Sequence, residues 1–168
     1  MNLPHLLIIR GLPGTGKSTL AQRFEGAFGY IHVEPDMWHV QKDGVYRYSD
    51  AAAPDAYHWL RDTVRCFLRA GKRVVISEVL CRKSVLAQLR TLARGDEDTC
   101  TILATGGTGT IHKVPESTLE IMQDIWEDDP NPPGVPADCV LDMLEQAERY
   151  MQEKMEVGDV CYGIPGVL

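Results

Sequence analysis

The sequence predicts an α/β fold: a parallel sheet of about four to five strands flanked by helices, with one more helix near the C-terminus. Three observations predict it. Short apolar runs alternate along the 168 residues with segments whose apolar positions recur at helical spacing. The third run, Arg73-Val74-Val75-Ile76-Ser77, is apolar throughout its middle, as a strand covered on both faces must be. The first run leads directly into a glycine-rich turn and then a helix, the opening of a right-handed β-α-β crossover.

Taken in order, Leu6-Leu7-Ile8-Ile9 is the first strand, and Leu20, Ala21, Phe24 and Phe28 mark a helix that Gly29 stops. Tyr30 to Val33 is a second strand, bounded by Gly29 and Pro35. Residues 41 to 54 are polar, contain Gly44 and Pro54, and read as a loop carrying Tyr46-Arg47-Tyr48. Ala56, Leu60, Val64, Phe67 and Leu68 define an amphipathic helix, in which Trp59 is expected to pack, and which ends at Gly71. After the third strand come a helix through Val85, Leu86, Leu89 and Leu92, a turn at Gly95–Asp98, and a fourth strand from Thr99 to Ala104. A Gly/Thr loop spans residues 105 to 110. Pro115 reads as the first helical residue of a segment through Leu119, Met122, Ile125 and Trp126. Residues 128 to 136 hold four prolines and form a stiff connector. Val140, Leu144, Ala147, Met151 and Met155 give the last helix, and the tail from Val157 reads as irregular. This divides the chain into a core at 1–128 and, at 129–168, a connector, helix and tail of the same domain.

Composition narrows the function classes. The formal net charge is −7 and no basic stripe is present, which argues against a grip on long nucleic acid; only an end or a single nucleotide would fit a local groove. The cysteines (Cys66, Cys81, Cys100, Cys139, Cys161) are odd in number, scattered and without a C-x-x-C pair. That usage implies a reduced, cytoplasmic setting, with neither a disulfide framework nor a zinc site. No apolar run is long enough to span a bilayer, and the N-terminus is expected to carry no signal peptide.

The chemistry centres on Gly11-Leu-Pro-Gly-Thr-Gly-Lys-Ser-Thr19, which fits the phosphate-binding pattern G-x-x-x-x-G-K-[ST]. Gly11, Gly14 and Gly16 let the backbone of Gly11–Thr19, including Thr15, curl round a phosphate with its amides inward. Lys17 then places a cation near the β- and γ-phosphates, and Ser18 offers a hydroxyl to Mg²⁺. A chance glycine-rich turn would not be expected to carry Lys-Ser-Thr after a strand as well. The pattern therefore predicts binding of ATP or GTP.

Two carboxylates follow strand ends, where ligands of parallel sheets bind. Asp36 suits a catalytic base that orients an acceptor hydroxyl and takes its proton, against the alternative of a helix N-cap. Glu78 suits a ligand of Mg²⁺ or of its water shell, against an ordinary exposed strand end. Arg82 and Lys83 sit where basic residues oppose a helix dipole, so they either meet a phosphate or an anionic acceptor or simply form a solvated face. Tyr46, Arg47 and Tyr48 either stack on a base and touch a phosphate or pack as a local lid. His112 and Lys113, after the Gly/Thr loop, are further candidates to meet a phosphate, and the remaining histidines show no ligand spacing with one another or with the cysteines.

With those residues in view, the chain resembles the P-loop kinases related to phage polynucleotide 5′-kinase, within the AAA-like group of small ATP-binding kinases. The resemblance runs over about residues 6 to 127: the phosphate loop, Val33–Asp36, the strand Val74–Glu78, and His112-Lys113-Val114-Pro115 followed by a helix with Met122 and Trp126. It implies ATP, Mg²⁺ and transfer of the γ-phosphate to a hydroxyl, with Asp36 as base and Lys17 and Ser18 on ATP and metal. The chain departs from that family in two ways. No arginine lies between Gly95 and Glu127, where the lid would supply one, and Glu78-Val79-Leu80 stands where Asp-Thr-Asn is usual. Three readings follow: a kinase of a nucleic-acid 5′-OH, modified DNA base or nucleotide; an antibiotic or sugar phosphotransferase; and a nucleotide-binding module without catalysis.

Overall fold

The computed structural model describes residues 4–106, 114–129 and 137–156. Four strands, β1 (Leu6–Arg10), β2 (Ile31–Val33), β3 (Val74–Glu78) and β4 (Thr99–Leu103), form one parallel sheet in the order β2-β3-β1-β4. Leu6 stands opposite both Val74 and Thr99, and Arg10 opposite Glu78 and Leu103, so β1, β3 and β4 end level on one rim, while β2 stops at Val33, opposite Ile76. Five helices flank the sheet: α1 (Lys17–Phe28), α2 (Ala53–Arg69), α3 (Lys83–Arg90), α4 (Glu116–Asp124) and α5 (Ala137–Glu156). The expected fold class is the one observed.

Alternation along each strand builds two cores. Leu7, Ile9, Val75, Cys100 and Ile102 meet Ala21 and Phe24 of α1 and Val140 and Met143 of α5. Leu6, Ile8, Val33, Val74 and Ile76 meet Leu60 and Val64 of α2 and Leu86 and Leu89 of α3. Each fully buried Leu, Ile or Phe contributes about 1.5–3 kcal/mol. The C-terminal helix is thus part of the helical layer on one face of the sheet. No helix of the described residues is long and apolar enough to cross a membrane.

The structure moves some expected boundaries. Helix α2 begins at Ala53, so Pro54 lies inside its first turn, where a missing N–H costs nothing; a short 3-10 turn at Asp50–Ala52 leads in. Pro115 is the residue that caps α4, and α4 ends at Asp124, two residues before Trp126. Trp126 leaves the helix because its ring lies 4.1 Å from the Arg10 guanidinium. Arg10 is 3% exposed and donates to the carbonyls of Leu80 (2.7 Å), Cys81 (3.3 Å) and Glu127 (2.9 Å). Glu127 in turn donates its amide to the Cys81 carbonyl at 2.8 Å, and its carboxylate caps α3 by accepting the Lys83 amide at 2.7 Å. Asp129, read from the sequence as the start of the connector, accepts from Arg90 of α3 at 2.9 Å. The expected calls on residues 107–113, 130–136 and 157–168, His112, Lys113 and Cys161 among them, lie outside the described residues.

Candidate active site

Between β1 and α1 the chain makes the turn that the glycines require. A Cβ on Gly11 would stand 2.6 Å from Thr15 Oγ1 and 2.7 Å from the Ala104 carbonyl oxygen, a space only hydrogen fits. Gly16 caps α1 with φ 84°, in the left-handed region. Thr15 Oγ1 and Lys17 Nζ both donate to the Leu12 carbonyl, at 2.8 and 3.0 Å, so the loop is closed on itself. Burial lowers the Lys17 pKa, while Glu78, Glu34 and Asp36 act against it, which places all three carboxylates within electrostatic reach of one ammonium group.

Among the described residues, the carboxylate that touches Ser18 is Glu34. Ser18 Oγ donates to Glu34 Oε2 at 2.8 Å, and Ser77 Oγ donates to the same oxygen at 2.7 Å. His32 Nε2 lies 2.7 Å from Ser77 Oγ and 3.4 Å from Glu34 Oε2. Burial alone would raise the Glu34 carboxyl; the hydrogen bonds from His32, Ser77 and Ser18 outweigh it and bring the group down to about 2. Glu78, the expected metal ligand, accepts the Val79 amide on Oε1 at 2.8 Å. Its carboxyl is pushed up to about 7, first by burial and then by Asp36 and Glu34, against the Val79 amide and Lys17.

Asp36 sits in a 3-10 turn, Pro35–His39, that follows β2. Its Oδ1 accepts the Tyr46 hydroxyl at 3.0 Å. Tyr46 is brought there by a bridge between Val40 and Tyr46 and a hydrogen bond from the Arg47 amide to the His39 carbonyl (2.8 Å). The His39 ring meets Tyr46 and Tyr48 edge-on at 5.9 and 5.0 Å. Arg47 does not join this group: it makes a two-pronged pair with Asp43, at 3.0 and 2.7 Å, with half its side chain in solvent. Arg82 is exposed at the start of α3 and makes no hydrogen bond or ion pair with another described side chain. Trp59 packs on the α2 core, 6.1 Å from the ring of Trp38.

The residues named from sequence, the loop, Asp36 and Glu78, lie near one another on this rim, and beside them stand Glu34, Ser77 and His32, which were not named. The signal for Glu34 was present: it directly follows a strand and stands two residues from Asp36. His32 shows no ligand spacing to the other histidines or to the cysteines, and its partner, Ser77, lies across the sheet. The site itself is an open rim. Two shallow hollows among the described residues are lined by other side chains: one by Arg10, Leu103, Trp126 and Asp128, the other by His5, Leu68 and Arg94.

Comparison with known proteins bears on the family and the fold. A family described as "AAA domain" matches residues 6–106. A gluconokinase from Sinorhizobium meliloti 1021 superposes with a TM-score of 0.60 at 17% identity, over 95% of this chain and 100% of that one. Kti12 of Chaetomium thermophilum, in complex with ADP-AlF3, superposes with 0.55 at 22% identity, over 76% and 82%. A chain of a Pnkp1/Rnl/Hen1 complex gives 0.52 at 18% identity, over 80% of this chain and 47% of that one. At these identities the likeness is one of fold alone.

Proposed function

This chain belongs to the AAA domain family, and from that premise we propose that it transfers the γ-phosphate of ATP to a hydroxyl group. One observation carries the reading. Lys17, the Ser18–Glu34 pair and Asp36, itself holding a hydroxyl on Oδ1, converge on the rim where the four strands end.

Ser18 and Glu34 fit Mg²⁺, because both offer hard oxygen donors and Mg²⁺ takes only one or two protein ligands beside waters and phosphates. The metal would neutralise phosphate charge. Glu78 is assigned to its water shell, since its Oε1 already faces the Val79 amide. The loop amides of Gly11–Thr19 and Lys17 hold the β- and γ-phosphates, for which Lys17 must leave the Leu12 carbonyl. The acceptor hydroxyl takes the place of the Tyr46 hydroxyl on Asp36. Its oxygen attacks the γ-phosphorus, its proton passes to Asp36, and the bond to the β–γ bridging oxygen breaks to release ADP. Arg82 is the rim arginine proposed to meet the transferring phosphate or an anionic part of the acceptor.

For the acceptor, the sequence resemblance and the aromatic wall of Tyr46 and Tyr48 support a nucleic-acid 5′-OH, a modified base or a nucleotide. The second reading, a small-molecule phosphotransferase, draws on the likeness to the gluconokinase over nearly the whole chain and on the carboxylates of the rim. Radiolabelled ATP offered with oligonucleotides, nucleosides, sugars and aminoglycosides separates them. Label on an oligonucleotide or nucleoside supports the first and label on a sugar or antibiotic the second. No label on any acceptor, together with a higher melting temperature in ATP, leaves a binding module and overturns the transfer reading.

A further inference from the structure

Two polar side chains sit where apolar strands are expected to have none. His32 of β2 is 8% exposed and Ser77 of β3 is 3% exposed, beside Val33, Val75 and Ile76. Burying them unpaired would be costly, so their partners give the reason for their presence. Register explains how they meet. His32 stands opposite Val75 and Val33 opposite Ile76, so the next residue, Glu34, arrives beside Ser77. Residues two apart on a strand share a face, which puts His32 with Glu34 and Val75 with Ser77 on the side covered by α1, the helix that carries Ser18.

We propose that Ser77 and His32 are positioning residues: a strut that holds the Glu34 carboxylate in place to receive a divalent cation. The inference rests on the assignment of Ser18 and Glu34 to Mg²⁺. Glu34 Oε2 now accepts two hydroxyls, from Ser18 at 2.8 Å and Ser77 at 2.7 Å. Ser18 can lend a lone pair to a cation and still donate its hydrogen to Glu34, but its position is then shared between metal and carboxylate. Ser77 has no part in the metal and serves the carboxylate alone. Because Ser77 donates to Glu34, its oxygen accepts from His32, which fixes a hydrogen on Nε2 of the buried ring. A glutamate has one more rotatable bond than an aspartate and more freedom to lose when a ligand must be held, so this site needs a fixed third point. Oriented ligands bind metals more tightly, and removing their supporting hydrogen bonds typically costs 10–100-fold in affinity.

The test is a Mn²⁺ titration of the ADP complex, read by electron paramagnetic resonance and requiring no turnover. Ser77→Ala and His32→Leu are expected to weaken Mn²⁺ about 10-fold or more, with metal-free ADP affinity unchanged. His32→Gln keeps an N–H near the Nε2 position and is expected to recover most of the loss. It also serves as the folded variant if the apolar replacements do not fold. A fall in melting temperature with unaltered Mn²⁺ affinity, in variants that fold, would show a merely structural contact and overturn the strut. A wild-type complex that binds no Mn²⁺ would instead overturn the Ser18–Glu34 assignment on which the strut rests.

Discussion

Glu34 and Asp36 stand two residues apart, yet they are held in opposite ways. Glu34 is gripped from three elements: Ser18 of α1, Ser77 of β3 and His32 of its own strand β2. Asp36 is held by one hydroxyl from a local hairpin ten residues further on. On the proposed function, the side of the rim assigned to nucleotide and metal is therefore fixed by contacts across the sheet, and the side assigned to the acceptor by contacts along the chain. The first belongs to the rigid frame, whereas the second can rearrange without disturbing a strand, which is where a change of acceptor would be accommodated.

The largest expected effects break this division directly. Asp36→Asn keeps the shape and removes the proton acceptor, so turnover is expected to fall about 10²–10⁴-fold, with ADP affinity unchanged in a titration. Glu34→Gln is expected to raise the Mg²⁺ concentration needed for half-maximal rate instead. If Asp36→Asn shifts the metal requirement and Glu34→Gln does not, the two sides have been assigned the wrong way round.

Arg10 tests how far the frame extends behind the loop. Its guanidinium holds the Leu80, Cys81 and Glu127 carbonyls and stacks on Trp126. Arg10→Met leaves the buried Leu80 carbonyl without its donor and removes the ring contact, an expected loss of about 2–4 kcal/mol in a urea titration. Trp126→Leu should lose only the ring part, and a full-sized loss there would mean that Trp126 packing, not the carbonyl clamp, secures the rim.

How much of this could be read from sequence follows from the same contrast. The phosphate loop was legible because phosphate chemistry fixes its glycines, lysine and serine within nine consecutive residues. The strands and both cores were legible from periodicity. His32 and Ser77 were not, because they are 45 residues apart and meet only through the β2–β3 register. Trp126 read as one more helical position, since the pattern of α4 says nothing of an arginine waiting at the end of β1. Arg47 read either as a contact for phosphate or as part of a local lid; its pairing with Asp43 depends on the hairpin, which the polar run 41–54 did not disclose.

The carboxylates also divide in their response to pH. Glu34 is held below its ordinary value of 4.5, down to about 2, so its contribution to stability is present above 4.5 and lost as pH falls through 2. Glu78 is raised from 4.5 to about 7; its folded form prefers the proton, so stability is full below 4.5 and declines as pH rises through 7. Glu78→Gln, which stays neutral, is expected to raise the melting temperature of the nucleotide-free protein at pH 8 and to leave it nearly unchanged at pH 4. An equal shift at both values would mean that packing, not ionisation, accounts for the change.

The smallest expected effect lies at the tip of the acceptor side. Arg47 and Asp43 form a two-pronged pair four residues apart, but each side chain is about half exposed. Water screens such a pair and ordering two long side chains offsets its attraction, so Arg47→Ala is expected to leave the melting temperature nearly unchanged. Its consequence for acceptor use distinguishes two pictures of the hairpin. If Asp43 retains Arg47 during catalysis, Arg47→Ala leaves the acceptor KM within about twofold, consistent with so weak a surface pair. A rise of tenfold or more with an anionic acceptor would mean that Arg47 exchanges Asp43 for the substrate. The acceptor side would then be a part that rearranges on binding, set against a nucleotide side that is fixed beforehand.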